Sequence, residues 1–436
     1  MTSYADALDY LYHLQSHGIH PGLRRIESLL SRLDHPETKF KSIHIGGTNG
    51  KGSTAATVAS ILQQSGFRVG LYTSPHLIDF SERIQISGIP ITEREIVSLT
   101  HLIRDTITTT SSNEAITFFE FTTALAFYHF ACSKIDFAVV EVGMGGRYDA
   151  TNLLQPMAVA ITPVSLDHEQ YLGSTLAKIA YEKAGIIKEG TPVVISRQAP
   201  SAYAVIQEVA RLKNAPLIQL GQEICTVGDS PQNFLYQGKR ERNVQSPLLG
   251  RHQMDNAAVA LGLIEEIQRQ GTVISEDAIA MGFRNVRWPG RLEVVRQRPF
   301  ILLDGAHNPA GAEALGAFLS EVDPEKRGKH WLIFGVMQDK DSAQMLQCLL
   351  PWTDECVLCC PDLSRAAKPE AILRGVQNKA CIHTVCSGVS DAIRYVESVA
   401  SPRDSLVITG SLYTVGEAKG FFTGETPSPL RGERRP

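Results

Sequence analysis

Two stretches constrain the fold more than anything else in the chain. Phe137 to Val142 (FAVVEV) and Ala158 to Val164 are almost unbroken apolar runs rich in β-branched residues. A strand with one wet face alternates polar and apolar side chains, whereas an unbroken run marks a strand covered on both faces, as in a parallel sheet between helices. From about Phe40 onward one theme repeats: a short β-branched run, a polar or glycine-containing turn, then helical spacing. Lys41 to Ile45, Arg68 to Tyr72 and Thr191 to Ile195 read as further strands. Ser53 to Gln64, Ser174 to Lys188, Ser201 to Lys213 and Met254 to Gln270 read as helices, with Gly66, Gly190 and Gly271 just past three of their ends. These are βαβ units.

The texture changes at Asn285 to Leu292 (NVRWPGRL), where Pro289 and Gly290 interrupt any period. A second α/β series follows, with strands expected near Phe300 to Leu303, His330 to Phe334, Glu355 to Cys359, Ile382 to Val385 and Leu406 to Thr409. At roughly 150 residues per domain the 436 residues allow about three domains, and two large ones also fit. The reading is an α/β protein with a large domain over residues 1–287, mainly a parallel sheet, and a smaller Rossmann-like α/β domain over 288–423. Residues 424–436, rich in Pro, Arg and Gly without an apolar period, are expected to be a disordered tail.

Composition excludes several classes of function. With 42 basic and 46 acidic side chains the net charge is -4 and the signs are interspersed, so there is no basic stripe to neutralise a nucleic-acid backbone. No run approaches the roughly 20 apolar residues of a membrane span, and Asp6 and Asp9 stand where a signal peptide wants Lys or Arg. A cytoplasmic protein with neither nucleic-acid nor membrane partners is expected. Eight cysteines in a chain of this length suit thiols rather than a disulfide framework. Cys356, Cys359 and Cys360 invite a zinc reading, but they lie in an apolar run (CVLCC) that reads as a buried strand, and Cys381 and Cys386 form no second C-x-x-C.

The chemistry starts between the first strand and the first helix, at Gly46-Gly47-Thr48-Asn49-Gly50-Lys51-Gly52-Ser53. Glycines let backbone N–H groups turn inward around phosphate oxygens; the helix N-terminus adds partial positive charge and Lys51 a full one. The match to G-x-x-x-x-G-K-[ST] is imperfect, since Ile45 takes the first glycine position and Gly52 separates Lys51 from Ser53. A bound nucleotide brings Mg²⁺, which prefers oxygen ligands. Glu141 is a candidate ligand, because an acid inside FAVVEVG is otherwise an unpaired buried charge. Asp167 and His168 follow the next strand and fall on the same rim.

Seven motifs then occur in order: the phosphate loop; Thr73-Ser74-Pro75-His76-Leu77; Thr117-Phe118-Phe119-Glu120; Glu141 through Asn152 (EVGMGGRYDATN); Asp167-His168-Glu169; Glu182-Lys183-Ala184-Gly185; and Asp304-Gly305-Ala306-His307-Asn308-Pro309. Together they resemble the folylpolyglutamate synthase and dihydrofolate synthase family of the Mur ligase superfamily, over nearly the whole chain. The resemblance implies ATP-dependent ligation of L-glutamate to dihydropteroate and to folates. The acceptor carboxylate takes the γ-phosphoryl group of ATP, and the glutamate amine then displaces phosphate from the acyl phosphate.

Carried over by resemblance, Asn49, Gly50, Lys51, Gly52 and Ser53 hold the ATP phosphates, and Asn256, Arg291 and Asp304 complete the nucleotide contacts. Ser74 and Glu141 are implied ligands of one Mg²⁺, with His168 on a second. Lys183 matches a lysine that the family carbamylates. His307 and Ser411 correspond to positions near the incoming glutamate. Thr117, Phe118, Phe119 and Glu120, with Tyr148, Asp149 and Ala150, match segments that hold dihydropteroate in bifunctional members. The family also implies a monomer. A monofunctional folylpolyglutamate synthase shares most of these motifs, and a peptidoglycan-precursor ligase is the nearest alternative in the superfamily. Gly52, and Asp167-His168-Glu169 followed by Leu172-Gly173, favour the folate branch. A P-loop switch has no use for the Asp304 and His307 constellation.

Overall fold

A computed structural model describes residues 3–18, 20–108, 115–322, 328–376 and 381–428. The chain forms two compact units, one of residues 1–76, 81–247 and 253–287, the other of 77–80, 248–252 and 288–436.

In the first unit, eight strands form one sheet: β1 (Lys41–Gly46), β2 (Val69–Tyr72), β3 (Ile84–Ile86), β4 (Ile89–Pro90), β5 (Phe137–Glu141), β6 (Ala158–Ile161), β7 (Val193–Ile195) and β8 (Leu217–Gln219). Their order is β4-β3-β2-β5-β1-β6-β7-β8. The six strands from β2 to β8 in that order run parallel, and β3 and β4 add an antiparallel hairpin at one edge. β5 and β6, the two apolar runs, flank β1 and are buried along their whole length, as strands covered on both faces must be. The expected helices form as Lys51–Gln64, Leu176–Ala184, Pro200–Leu212 and His252–Arg269. The second of these is capped by Thr175, whose hydroxyl accepts the Lys178 amide at 3.3 Å.

A second sheet in this unit, β9 (Cys225–Ser230), β10 (Asn233–Gln237) and β11 (Glu241–Val244), is antiparallel and was not signalled by any apolar run. It is anchored by charge instead. Arg242 on β11 meets Glu265 and Glu276, while Tyr236 on β10 donates to Glu265 at 2.9 Å.

The second unit is a six-stranded sheet: β12 (Glu293–Gln297), β13 (Phe300–Leu303), β14 (His330–Phe334), β15 (Glu355–Leu358), β16 (Ile382–Val385) and β17 (Ser405–Thr409), in the order β12-β13-β17-β14-β15-β16. All neighbours are parallel except β12, an antiparallel edge strand whose residues are half-buried to exposed and carry no strand signature. Cys356, Cys359 and Cys360 are buried in and just after β15. Among the described residues, no cluster of three or more His, Cys, Asp or Glu is arranged to hold a metal ion, and no helix is long and apolar enough to cross a membrane.

Two sequence expectations need correction. A boundary after residue 287 omits Leu77–Phe80 and Leu248–His252 from the second unit. Leu77 and Ile78 belong to its core with Ile301, Ile333 and Val415, and Arg251 pairs with Glu321 at 2.9 Å. These are contacts of long sequence separation, invisible to local pattern. The tail is not disordered throughout. Gly424 ends the last helix in the left-handed region, and Ser428 then docks, donating its N–H to Ile78 O at 2.6 Å and accepting from Phe80 N at 3.2 Å. Residues 429–436 lie outside the described residues.

Candidate active site

Ligand sites of parallel sheets gather beyond the carboxyl ends of the strands, and the first unit places its functional residues there. Strand β1 ends at Gly46 and the helix begins at Lys51. Between them the chain makes a turn that only glycine permits at two points. Gly47 has φ +131°, and a Cβ there would sit 1.9 Å from Thr162 Oγ1; Gly50 has φ +88°, and a Cβ would sit 2.3 Å from Asn256 Oδ1. The turn is tied to the end of β6, since Thr48 N donates to Pro163 O at 2.9 Å and Ser165 N to Thr48 Oγ1 at 3.0 Å. Asn256 donates to Gln253 Oε1 at 3.0 Å, and Gln253 donates to Ser53 Oγ at 3.3 Å. Sequence reading named Asn256 and passed over Gln253, whose only signal was its place three residues earlier on the same helix face.

Lys51 extends along this loop, its Nζ 3.0 Å from Thr48 O and 3.9 Å from Glu141 Oε1. Glu141 closes β5, opposite Ile45 of β1, and is buried. Its other oxygen accepts Ser74 N at 3.3 Å. The buried Glu141 carboxylate and the adjacent hydroxyl residue Ser74 offer oxygen donors of the kind a hard cation prefers, and the facing Lys51 ammonium suits phosphate oxygens. His168, in the left-handed region at φ 50°, stands at the start of the short helix Glu169–Leu172 with its Nε2 3.9 Å from Asp167 Oδ2.

Lys183 is buried at the end of the helix Leu176–Ala184 and donates to Gly47 O at 2.7 Å. Burial, with Lys51 nearby, pulls its pKa down from 10.5 to about 7, against the pull of Asp167 and Asp149. An amine in that range is present in substantial part as the free base at neutral pH.

Several residues expected at the substrate also bind their own chain. Thr117 and Glu120 form a capping box at the start of the helix Phe118–Cys132, and the Glu120 carboxylate is also held by Arg25 at 2.9 Å. Asp149 is buried and accepts Met144 N at 2.9 Å, Thr151 N at 3.0 Å and the Thr151 hydroxyl. Ala150 is buried as well. Phe118 and Phe119 remain half-buried, Phe119 stacking on Tyr72, and Tyr148 is exposed. Arg25 and His44 went unnoticed in the sequence reading, although a histidine inside an apolar strand was a signal.

In the second unit the candidate residues stand beyond β13 and β17, which are neighbours. Asp304 accepts Leu292 N at 3.0 Å and Ala306 N at 2.9 Å, so its carboxylate shapes the turn that carries His307. Arg291 Nη1 donates to Gly305 O at 3.2 Å, and His307 Nδ1 lies 2.9 Å from the same oxygen. Ser411 is buried and caps the helix Leu412–Thr423 by accepting Thr414 N at 3.0 Å.

The fold is that of a Mur-type ligase: the Mur ligase middle domain matches residues 45–264, and the Mur ligase, glutamate ligase domain matches residues 290–412. The dihydrofolate synthase/folylpolyglutamate synthase of Bacillus subtilis is 35% identical over 431 residues, spanning 96% of this chain and 99% of that protein. The structure of Mycobacterium tuberculosis folylpolyglutamate synthase complexed with ADP and AMPPCP superposes with a TM-score of 0.89 at 34% identity, covering 98% of this chain and 100% of that one. That of Escherichia coli FolC in complex with DHPP and ADP gives 0.88 at 29% identity, covering 97% and 98%. The chain belongs to the dihydrofolate synthase/folylpolyglutamate synthase family.

Proposed function

We propose that this protein uses ATP to join L-glutamate to dihydropteroate and, in a second activity of the same site, to reduced folates. The observation that carries the reading is the convergence of Lys51, Glu141 and Lys183 on one phosphate-type loop, with Glu141 3.9 Å from Lys51 and Lys183 2.7 Å from Gly47 O. Phosphoryl transfer asks a protein mainly for positioning and charge neutralisation. Asn49 to Ser53 serve the triphosphate, with Asn256 beside them, and Arg291 and Asp304 are proposed as further nucleotide contacts. His307 and Ser411 are assigned to the glutamate side, and Phe118, Phe119 and Tyr148 to the pteridine-bearing acceptor. The acceptor carboxylate attacks the γ-phosphorus, the bond to the β,γ-bridging oxygen breaks to release ADP, and the glutamate amine displaces phosphate from the acyl phosphate, losing its proton.

Two Mg²⁺ ions are proposed, one held by Ser74 and Glu141 and one by His168; they supply neutralisation of the phosphate oxygens. Lys183 is proposed to be carbamylated. Its free amine adds to CO₂ and loses a proton, which replaces repulsion between Lys51 and Lys183 by attraction. The same reading makes the protein a cytoplasmic monomer, a setting that suits its eight cysteines, none of them in a disulfide. The experiment is ADP release with ATP and Mg²⁺. Turnover is expected only when glutamate is present with dihydropteroate or tetrahydrofolate. Turnover with a nucleotide-linked muramyl acceptor, or without any acceptor, would refute the reading, and activity with tetrahydrofolate alone would make the enzyme monofunctional.

A further inference from the structure

We propose that His44 is a positioning residue for the ligation reaction: through Thr151 it orients the Asp149 carboxylate, and with it the loop that joins Glu141 to the Lys183 helix. His44 lies at the centre of β1, between β5 and β6, fully buried opposite Val140 and Val159. The positions opposite His44 on both neighbouring strands and beside it on β1, Ile43 and Ile45, are apolar, and burying an imidazole there is unfavourable unless it is hydrogen-bonded. Its Nε2 lies 2.8 Å from Thr151 Oγ1, and the Thr151 hydroxyl bonds in turn to Asp149 Oδ1.

The chain has one direction. Asp149 as a carboxylate only accepts, so the Thr151 hydroxyl donates to it and must itself accept from His44, which assigns the Nε2–H tautomer. Consistent with that, His44 Nδ1 has no hydrogen-bond partner among the described residues. Burial pulls the ring's pKa down to about 3, so His44 stays neutral and acts by donating rather than by charge.

Asp149 fixes the loop at the other end. Its second oxygen accepts Met144 N at 2.9 Å, three residues beyond Glu141. The same loop is sewn to the Lys183 helix, because Arg147 N donates to Glu182 O at 2.8 Å and Asn152 Nδ2 to Gly185 O at 3.1 Å. The His44 chain therefore sets the distance between the two residues that carry the proposed chemistry of the site. This role of Asp149, exerted through Met144 N and Thr151, rests on the ligase reading above.

The test uses the full chain and the variants H44L, H44Q, T151V, T151S and H44L/T151V. Loss of one such hydrogen bond is expected to lower kcat about tenfold in H44L and in T151V, with KM for ATP essentially unchanged. H44Q and T151S, which restore the donor and the hydroxyl, should recover most of it, and the double variant should fall no further than either single one. In ¹⁵N spectra of substrate-free protein, the His44 ring should show a protonated Nε2 whose resonance moves in T151V. Unchanged kcat in H44L and T151V with native melting, absence of rescue by H44Q, or additive losses would overturn the proposal. The ring spectra need no turnover, so a wild-type protein inactive with folate acceptors would refute the ligase reading while leaving the hydrogen-bond chain measurable.

Discussion

Lys183 Nζ donates to the carbonyl oxygen of Gly47 at 2.7 Å, joining the end of one helix to the turn that opens another 136 residues earlier. The contact places an amine inside the phosphate loop, where burial and Lys51 both disfavour its protonated form.

Replacing Lys183 by Ala or Arg should lower turnover roughly 10–100-fold, the range seen when a group supporting a metal site is lost. Ligation rates measured with and without added bicarbonate should differ for the wild type and not for K183A. A wild-type rate indifferent to bicarbonate in CO₂-free buffer, with K183A fully active, would remove the carbamate from the mechanism.

The same lysine predicts a pH dependence of stability. Its folded pKa of about 7 lies below the ordinary 10.5, so between those values the unfolded chain binds more protons. Stability must therefore rise with pH across that interval, and the penalty is complete below about 7. In CO₂-free buffer K183M should melt higher than wild type at pH 6, with the difference shrinking towards pH 10. Thermal melts across that range check the sign.

Gly50→Ala should weaken nucleotide binding. An alanine must hold φ +88° and push its methyl towards Asn256 Oδ1 at 2.3 Å. Strain of about 1–3 kcal/mol at such a position, relieved by the loop leaving its binding geometry, corresponds to a rise in the Kd for ATP of roughly 5- to 150-fold. Calorimetric titration with a non-hydrolysable ATP analogue measures it, alongside a melt showing that the fold survives.

Arg25→Met leaves the buried Glu120 carboxylate without its guanidinium partner, 2.9 Å away in the native protein. Removing one member of a buried pair typically destabilises by about 3–5 kcal/mol, and Arg25 is partly exposed, so the lower end is expected. Denaturant unfolding should show R25M well below wild type and R25M/E120Q recovering part of the loss.

The architecture was largely legible because its strongest signals are local. Unbroken apolar runs such as Phe137 to Val142 have one stable setting, a parallel sheet covered on both faces, and the glycine-rich turn after β1 declares its own backbone need. Strands lacking that pattern escaped. β12 lies at an edge with half-buried to exposed residues, and in β9 to β11 the buried Phe234, Tyr236 and Val244 are interleaved with polar residues in strands too short to stand out, with Arg242 and its carboxylates among the contacts that hold them.

What the amino-acid order determines by itself is therefore the class of sheet, the phosphate loop and the order of the motifs, because each depends on neighbours within a turn or a strand. Only the tertiary structure decides which partners the polar side chains of those motifs take within the chain. The oxygens of Glu120, Asp149 and Ser411 accept from Arg25 and Thr117, from Met144 and Thr151, and from Thr414. A buried polar atom must find a partner, and that partner is chosen by packing across long stretches of chain, which no local pattern records.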